Sequence, residues 1–93
     1  MASVVLLLGS NDNNASAVVD RAINIIREAI GEVQKVSKAY ISEPYGFSDA
    51  NSFVNRAIEV ETTLDAYELL RRINLIEALL GRDREEEIRI RTA

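Results

Sequence analysis

The segment from Ser42 to Phe53 gathers the side chains best suited to bind a flat ligand. It contains the single proline of the chain, Pro44, next to Glu43 and Tyr45, and it also holds both phenylalanines. A connection of this length exceeds the usual ~4 to 6 residues and is often functional. Its aromatic rings could stack on a heterocycle or fold back over a sheet as part of the core, and the residues alone leave both interpretations open.

Asn55 lies two residues beyond Phe53 and therefore on the same face of a predicted strand. An amide beside an aromatic ring can bind the edge of a heterocycle while the ring stacks on its plane. The commoner interpretation of an asparagine in a strand is a solvated polar side chain. We treat Phe53 and Asn55 together as a candidate binding pair.

Glu77 falls at the border of the apolar stripe of a predicted helix, so its carboxylate is expected to need a partner. Arg82 and Arg84 follow Gly81, which ends that helix, and their guanidinium groups could pair with Glu77 or bind phosphates. The alternative is that these arginines compensate the helix dipole and pair with the glutamates at 85–87 on the surface. Those glutamates are interpreted as a solvated run and no metal site is predicted, the alternative being that Glu85 and Glu87 share one side of a strand and act as a carboxylate pair.

The composition excludes several function classes. The chain has 93 residues, no cysteine and no histidine, which rules out disulfides, thiolate nucleophiles, cysteine zinc sites and Ser-His-Asp triads. A net charge of -4 disfavours nucleic-acid binding, because phosphate contact needs a clustered positive field. The longest apolar run, Val4 to Leu8, is far shorter than a membrane span of ~18 residues. The sequence predicts a soluble, cytoplasmic protein without membrane or nucleic-acid partners.

Four strands are predicted in one domain that covers residues 1–93. They comprise residues 4–8, 33–41, about 52–62, and a tail in which Ile88 and Ile90 face inward. The first strand is apolar at every position, which predicts that both of its faces are covered. The second has scattered lysines, as expected of an edge strand.

Two amphipathic helices are predicted, one ending at Gly31 and one at Gly81, with Asp65 and Glu68 as a capping pair at the start of the second. The resulting order, β-α-β-β-α-β, predicts an α+β fold. The expected architecture is a ferredoxin-like sandwich in which a four-stranded antiparallel sheet carries both helices on one face. Right-handed crossovers place the first and third strands in the centre.

Several short motifs share a spacing that is typical of one enzyme family. They are Leu8-Gly9-Ser10-Asn11, Ser37 with Tyr40, Ser42-Glu43-Pro44-Tyr45-Gly46, Phe53-Val54-Asn55, Glu61-Thr62 with Leu64, Leu69-Leu70, and Ile76-Glu77 followed by Leu80-Gly81-Arg82-Asp83-Arg84. As a set within residues 3–84, they resemble the 6-hydroxymethyl-7,8-dihydropterin pyrophosphokinase family. The resemblance implies transfer of a pyrophosphoryl group from ATP to a pterin hydroxymethyl group in folate biosynthesis, with ATP and magnesium as cofactors.

The resemblance also implies roles for individual residues. Those implied in the pterin site are Ser42, Glu43, Pro44, Tyr45, Phe53 and Asn55. Among them, Phe53 would stack on the pterin and Asn55 would hydrogen-bond to its edge. Glu77 would lie near the nucleotide, and Arg82 and Arg84 would begin a loop that faces the phosphates.

The tail departs from the family pattern. After Arg84 the family continues into a strand whose Asp-Leu-Asp motif holds magnesium, whereas the tail strand here presents Arg89 and Arg91. Guanidinium groups cannot ligate Mg²⁺, which requires oxygen donors, so the magnesium site is expected to be missing. We therefore expect a chain that is truncated before the metal-binding strand and is not catalytic alone. The alternative is a non-catalytic pterin- or nucleotide-binding module, or an interaction module that forms a homodimer through its edge strands.

Overall fold

The computed structural model describes residues 1–11, 13–42, 52–81 and 88–93. These residues form strands and helices in the order β-α-β-β-β-α-β. The elements are β1 (Ala2–Ser10), α1 (Ala15–Ala29), β2 (Glu32–Val36), β3 (Tyr40–Ser42), β4 (Phe53–Thr62), α2 (Ala66–Gly81) and β5 (Ile88–Thr92). Within the described ranges, neither helix combines the length and apolar character needed to cross a membrane.

All strands pair antiparallel in one sheet of order β2-β4-β1-β5, and β3 also pairs with β4. The predicted α+β class is confirmed, and the arrangement is consistent with a ferredoxin-like fold. β1 and β4 are central, as right-handed crossovers require. Their pairing is extensive and runs from Ala2 opposite Thr62 to Ser10 opposite Val54.

The sheet has five strands and not the predicted four, because the predicted strand over 33–41 is divided into β2 and β3. The register of β2 on β4 shifts between Val33 and Lys35, as in a β-bulge. Beyond β2, the amide of Ala57 donates to the side-chain Oγ of Ser37 over 2.8 Å. A side chain here takes the place of a backbone carbonyl in the ladder, which interrupts the regular strand.

Both helices pack on one face of the sheet and form a single core with it. The buried residues of this core are Leu6, Leu8, Val19, Ala22, Ile23, Ile26, Ile30, Ile58, Val60, Leu69, Ile73, Ile76, Leu80 and Ile90. Ile88 packs against them, so the prediction that Ile88 and Ile90 face inward is confirmed. The prediction that both faces of β1 are covered is wrong for the described part of the chain. Val5 and Leu7 are 41% and 40% exposed, because both helices lie on the other side.

Helix α2 begins with a cap on Asp65, whose Oδ1 accepts a hydrogen bond from the amide of Glu68 over 2.8 Å. The reciprocal half of the predicted capping pair is not among the described hydrogen bonds. The Glu68 carboxylate instead accepts from Arg71 over 2.9 Å and from Arg72 over 3.0 Å. These bonds, led by the one from Arg71, lower the pKa of Glu68 from 4.5 to about 2, because they stabilise its charged form.

The end of α1 is tied to both β4 and α2. Thr62 is buried, and its Oγ donates to the carbonyl of Ile30 over 2.7 Å while accepting from the amide of Leu64 over 3.1 Å. Arg72 donates to the carbonyl of Ala29. The last turn of a helix leaves such carbonyls without intrahelical partners. Side chains from two other elements supply those partners here and fix α1 on the sheet.

Candidate functional site

The face of the sheet opposite the helices, called here the open face, carries a row of four residues from four strands. Tyr40 of β3 lies opposite Asn55 of β4, Asn55 lies opposite Gly9 of β1, and Gly9 lies opposite Arg89 of β5. Directly opposite residues in antiparallel strands point to the same face. The row therefore brings together a phenol ring, an amide and a guanidinium group around a position that has no side chain.

Gly9 provides the space in which these groups meet. A Cβ atom at Gly9 would lie 2.8 Å from Oδ1 of Asn55 and 3.7 Å from Cδ1 of Phe53. The first distance is too short for a real Cβ contact, so any larger residue would displace the amide. The amide of Asn55 and the ring of Phe53 thus converge above Gly9.

Asn55 is held in one orientation by its neighbours. Its Nδ2 donates to Oγ of Ser42 over 2.9 Å, to the carbonyl of Tyr40 over 3.2 Å and to the carbonyl of Phe53 over 3.3 Å. Because carbonyl oxygens only accept, they fix which end of the amide is the donor, and Oδ1 faces Gly9. None of the residues in the described ranges donates to this oxygen. It is an acceptor available to a ligand.

Phe53 lies beside this amide, and the guanidinium carbon of Arg89 lies 5.2 Å from the centroid of its ring. The separation is within the ~6 Å range of a cation–π contact. A cleft of about 360 Å³ opens here, near the lower end of the ~300 to 1,000 Å³ typical of ligand sites. Its lining residues are Leu7, Leu8, Gly9, Tyr40, Ser42, Phe53, Asn55, Arg89 and Arg91.

A larger cleft, of about 520 Å³, lies at the start of α1. Its lining residues are Asn13, Asn14, Ala15, Ser16, Ala17, Ser52 and Val54. Among the described residues, this lining has neither an aromatic ring nor a charged side chain with which to hold a heterocycle. We therefore assign the candidate site to the smaller cleft, where an aromatic ring, an oriented amide and two arginines converge.

Three residues predicted for the pterin site, Ser42, Phe53 and Asn55, lie together in this cleft. Five predicted residues lie outside the part of the chain that the structure describes: Glu43, Pro44, Tyr45, Arg82 and Arg84. Glu77 is described but does not line the cleft. The prediction that an amide and an aromatic ring share one face of β4 agrees with the register of the sheet.

Glu77 lies instead at the outer edge of β5. Its Oε2 accepts a hydrogen bond from the backbone amide of Ile90 over 2.9 Å. The amide of Ala93 donates to Val5 of β1, and alternate residues of a strand direct their amides to opposite sides, so the amide of Ile90 points away from β1. Glu77 thereby satisfies a donor that an edge strand leaves unpaired.

Sequence reasoning missed Tyr40, Arg89 and Arg91 as cleft residues and missed Gly9 as the floor of the cleft. A signal for the two arginines is present in the tail, because a period of two places them opposite the inward-facing isoleucines. The missing information is the register that brings Arg89 opposite Gly9. Register depends on partners that are distant in the sequence, so the tail alone does not reveal it.

The described cleft does not fit a magnesium ion. Among the residues that the structure describes, its charged lining residues are Arg89 and Arg91, whereas Mg²⁺ requires oxygen donors such as carboxylates. Over residues 1–11, 13–42, 52–81 and 88–93, no group of three or more acidic side chains is arranged to hold a metal ion. Guanidinium groups suit the binding of phosphate oxygens instead.

Comparison with known proteins identifies a family. The family model for 7,8-dihydro-6-hydroxymethylpterin-pyrophosphokinase (HPPK) matches residues 5–93. Relatives named 2-amino-4-hydroxy-6-hydroxymethyldihydropteridine pyrophosphokinase include one from Bacillus subtilis (strain 168), 37% identical over 95% of this chain and 53% of its own length. Another, from Aquifex aeolicus (strain VF5), is 35% identical over 88% of this chain and 51% of its own length. The chain thus spans about half the length of these curated relatives.

A solved structure shares the fold without close sequence similarity. The de novo designed protein Foldit4 matches with a TM-score of 0.57 over 99% of this chain and 97% of its own, at 14% identity. At this identity the likeness concerns the fold alone.

The family match covers more of the chain than the motifs do. It continues through β5 to residue 93, whereas the sequence motifs stop at Arg84. The sequence motifs and the family match therefore agree on residues 5–84, and the match adds the tail strand that contributes Arg89 and Arg91 to the cleft. The chain belongs to the 7,8-dihydro-6-hydroxymethylpterin-pyrophosphokinase family.

Proposed function

We propose that this chain forms a single domain that provides the pterin-binding part of an HPPK-family pyrophosphokinase. The pterin ring lies against Phe53 in the cleft on the open face, and one of its N–H edges donates to Oδ1 of Asn55. The orientation of the Asn55 amide is the observation that carries this proposal. Ser42 and two backbone carbonyls hold the donor end, so the acceptor faces the cleft, as a pterin edge with ring and amino N–H donors requires.

The remaining roles concern the phosphates. Arg89 and Arg91 give one end of the cleft a positive charge, which favours ATP or a pyrophosphorylated pterin. Arg82 and Arg84 are proposed as further phosphate-facing groups, and Glu77 as a group near the nucleotide. Glu43, Pro44 and Tyr45 are proposed to complete the wall of the pterin site.

Pterin binding is tested by titrating the 93-residue chain with 6-hydroxymethylpterin and following pterin fluorescence. Asn55→Ala removes the acceptor and Phe53→Leu removes the stacking ring, and we expect each to weaken binding by roughly tenfold. Asn74→Ala removes an exposed amide from α2 and serves as the matched control with unchanged affinity. If both cleft variants bind as tightly as the unaltered chain, the proposed site is wrong.

We further propose that these 93 residues bind the pterin without transferring pyrophosphate. Phosphoryl-type transfer depends largely on charge stabilisation, much of it from metal ions that bridge phosphate oxygens. The described cleft offers guanidinium groups where metal ligands would be needed. The chain is incubated with ATP, Mg²⁺ and 6-hydroxymethyl-7,8-dihydropterin, beside the Bacillus subtilis relative as a positive control. We expect AMP only from the relative, and AMP production by the 93-residue chain would contradict this proposal.

A homodimer formed through edge strands is the second proposed function. It is favoured by β2, which ends the sheet on one side within the described part of the chain. On the other side, Glu77 occupies the amide of Ile90 and makes that edge a poorer template for a new strand. Sedimentation velocity over a range of concentrations tests this, and a constant monomer contradicts it. We propose a cytoplasmic location and small-molecule ligands for both the pterin-binding chain and the homodimer. The apolar core needs no disulfide, and the chain has no cysteine, as is compatible with a reducing compartment.

A further inference from the structure

Arg89 and Phe53 belong to strands that are not neighbours. β1 lies between β4 and β5, so the two backbones are separated by about 10 Å, twice the usual spacing of strands. The guanidinium carbon of Arg89 nevertheless lies 5.2 Å from the centroid of the Phe53 ring. The side chain of Arg89 can cross β1 because the intervening residue, Gly9, has no side chain.

We propose that Arg89 is a ligand-stacking residue whose planar guanidinium group covers the heterocycle on the side opposite Phe53. This inference rests on the proposed function and assigns a second face to the same site. A guanidinium group is planar, weakly hydrated and stacks well on aromatic faces. The cleft therefore holds a flat ligand between an aromatic ring and an arginine.

The ligand must enter the contact that Arg89 now makes with Phe53. Stacked atoms are optimally about 3.5 to 4.0 Å apart, so a ring inserted between the two groups requires them to be about 7 to 8 Å apart. Arg89 therefore moves about 2 to 3 Å away from Phe53 when the ligand binds. Its exposed side chain has the rotatable bonds for this movement.

The backbone of β5 has no need to move. β5 is held on one side by its pairing with β1 and on the other by Glu77, which accepts from the amide of Ile90 over 2.9 Å. The movement that the ligand requires is therefore assigned to the Arg89 side chain. The Glu77 contact thus acts as a positioning contact for the strand that carries Arg89.

Two properties separate stacking from simple attraction by charge. Stacking requires a planar cation, whereas charge attraction is also provided by lysine. Charge attraction between exposed groups is screened by salt, since the Debye length falls from about 10 Å at 0.1 M to 3 Å at 1 M. Arg91 provides the comparison, because it carries the same charge in the same cleft but lies opposite Leu7.

The test measures the affinity of 6-hydroxymethylpterin, an uncharged probe, for the unaltered chain and for Arg89→Ala, Arg89→Lys and Arg91→Ala. We expect Arg89→Ala to weaken binding about five- to tenfold and Arg89→Lys to weaken it by at least half that factor. Both losses persist at about 1 M salt. Arg91→Ala, which removes the same charge from the cleft, is expected to weaken binding less than Arg89→Ala does, and Arg21→Ala, at an exposed position of α1 outside the cleft, serves as the control with unchanged affinity. Circular dichroism of each variant verifies that the fold is retained.

The outcomes distinguish this inference from the function on which it rests. If the unaltered chain does not bind the pterin, both the proposed function and the role of Arg89 are overturned. If Phe53→Leu weakens binding while Arg89→Ala leaves it unchanged or strengthens it, only the role of Arg89 is overturned. If Arg89→Lys binds the pterin as tightly as the unaltered chain, Arg89 acts through its charge and the stacking role is overturned. The same conclusion follows if high salt abolishes the loss of affinity in Arg89→Ala.

Discussion

The two faces of the sheet, one covered by the helices and one open, require different properties of the same strands. On the covered face, Leu6 of β1 lies opposite Ile58 of β4, and both side chains are almost completely buried. On the open face, the next residue of β1, Leu7, lies opposite Ala57 and is 40% exposed. Packing on the covered face, which carries both helices, requires apolar volume. The candidate site on the open face requires a particular strand register, because the register decides which side chains lie together.

Packing in the core determines where the candidate site lies. A shift of one residue in the pairing of β1 with β4 would turn every buried side chain to the open face, so burial fixes the register. The same register places Gly9 opposite Asn55 and Arg89. The cleft is therefore positioned by packing on the far side of the sheet, by residues that do not line it.

Substitution of adjacent leucines gives the largest contrast between the two faces. Leu6→Ala leaves a cavity in the core and is expected to lower the free energy of unfolding by about 2 to 5 kcal/mol. Leu7→Ala removes the same atoms from the partly exposed open face and is expected to cost less than about 1 kcal/mol. Urea denaturation measures both. Equal losses would contradict the assignment of the faces.

Thr62 tests the attachment of α1 to the covered face. Thr62→Val keeps the shape of the side chain but removes the hydroxyl that donates to the carbonyl of Ile30 and accepts from the amide of Leu64. The expected loss of unfolding free energy is about 1 to 3 kcal/mol, because buried polar groups are costly when unsatisfied. Thr63→Val, at the exposed neighbouring position, is the control and should change the urea midpoint very little. Similar midpoints for the two variants would show that the hydrogen bond is not important.

Much of the covered face could be predicted from the sequence because its signals are local. The alternation of Ile88 and Ile90 with polar residues predicts which face of β5 packs inward, and the structure agrees. The predicted number of strands was wrong because the backbone amide of Ala57 donates to the hydroxyl of Ser37 and not to a backbone carbonyl, which divides the predicted strand over 33–41. The spacing of apolar residues in the sequence indicates which side chains share a face of a strand. It does not indicate which group accepts a hydrogen bond from the backbone.

The site was predictable only in part, because its chemistry arises from long-range pairing. Phe53 and Asn55 could be identified as a pair, since they are two residues apart on one strand. Arg89 could not be placed beside them, because it comes from a strand that pairs with β1 and not with β4. Likewise, the helical position of Glu77 indicates that it needs a partner, but nothing local indicates the amide of Ile90.

Gly9→Ala, on the open face, is expected to lower the free energy of unfolding less than Leu6→Ala or Thr62→Val does in the core. The three atoms nearest to the new Cβ belong to the side chains of Asn55 and Phe53, and displacing the Asn55 amide disturbs its hydrogen bonds, so we expect a loss of unfolding free energy of about 1 kcal/mol. Pterin affinity should fall by roughly tenfold, because the amide must leave its position above Gly9. In the control Gly81→Ala, the new Cβ atom lies 3.9 Å from Cγ2 of Ile88, an ordinary contact. Retained pterin affinity in Gly9→Ala would contradict the assigned floor of the cleft.

The smallest expected effect depends on pH and lies on α2, away from both the core and the cleft. Arg71 and Arg72 lower the pKa of Glu68 from 4.5 to about 2 in the folded chain, so folding favours the charged carboxylate. The resulting stabilisation is fully present above pH 4.5 and is lost as the pH falls from 4.5 towards 2. Glu68→Gln should therefore lower the urea midpoint slightly at pH 7, and the difference from the unaltered chain should disappear near pH 2. Glu28→Gln, at an exposed position of α1, is the control, and a Glu68→Gln deficit that persists at pH 2 would assign the effect to packing and not to charge.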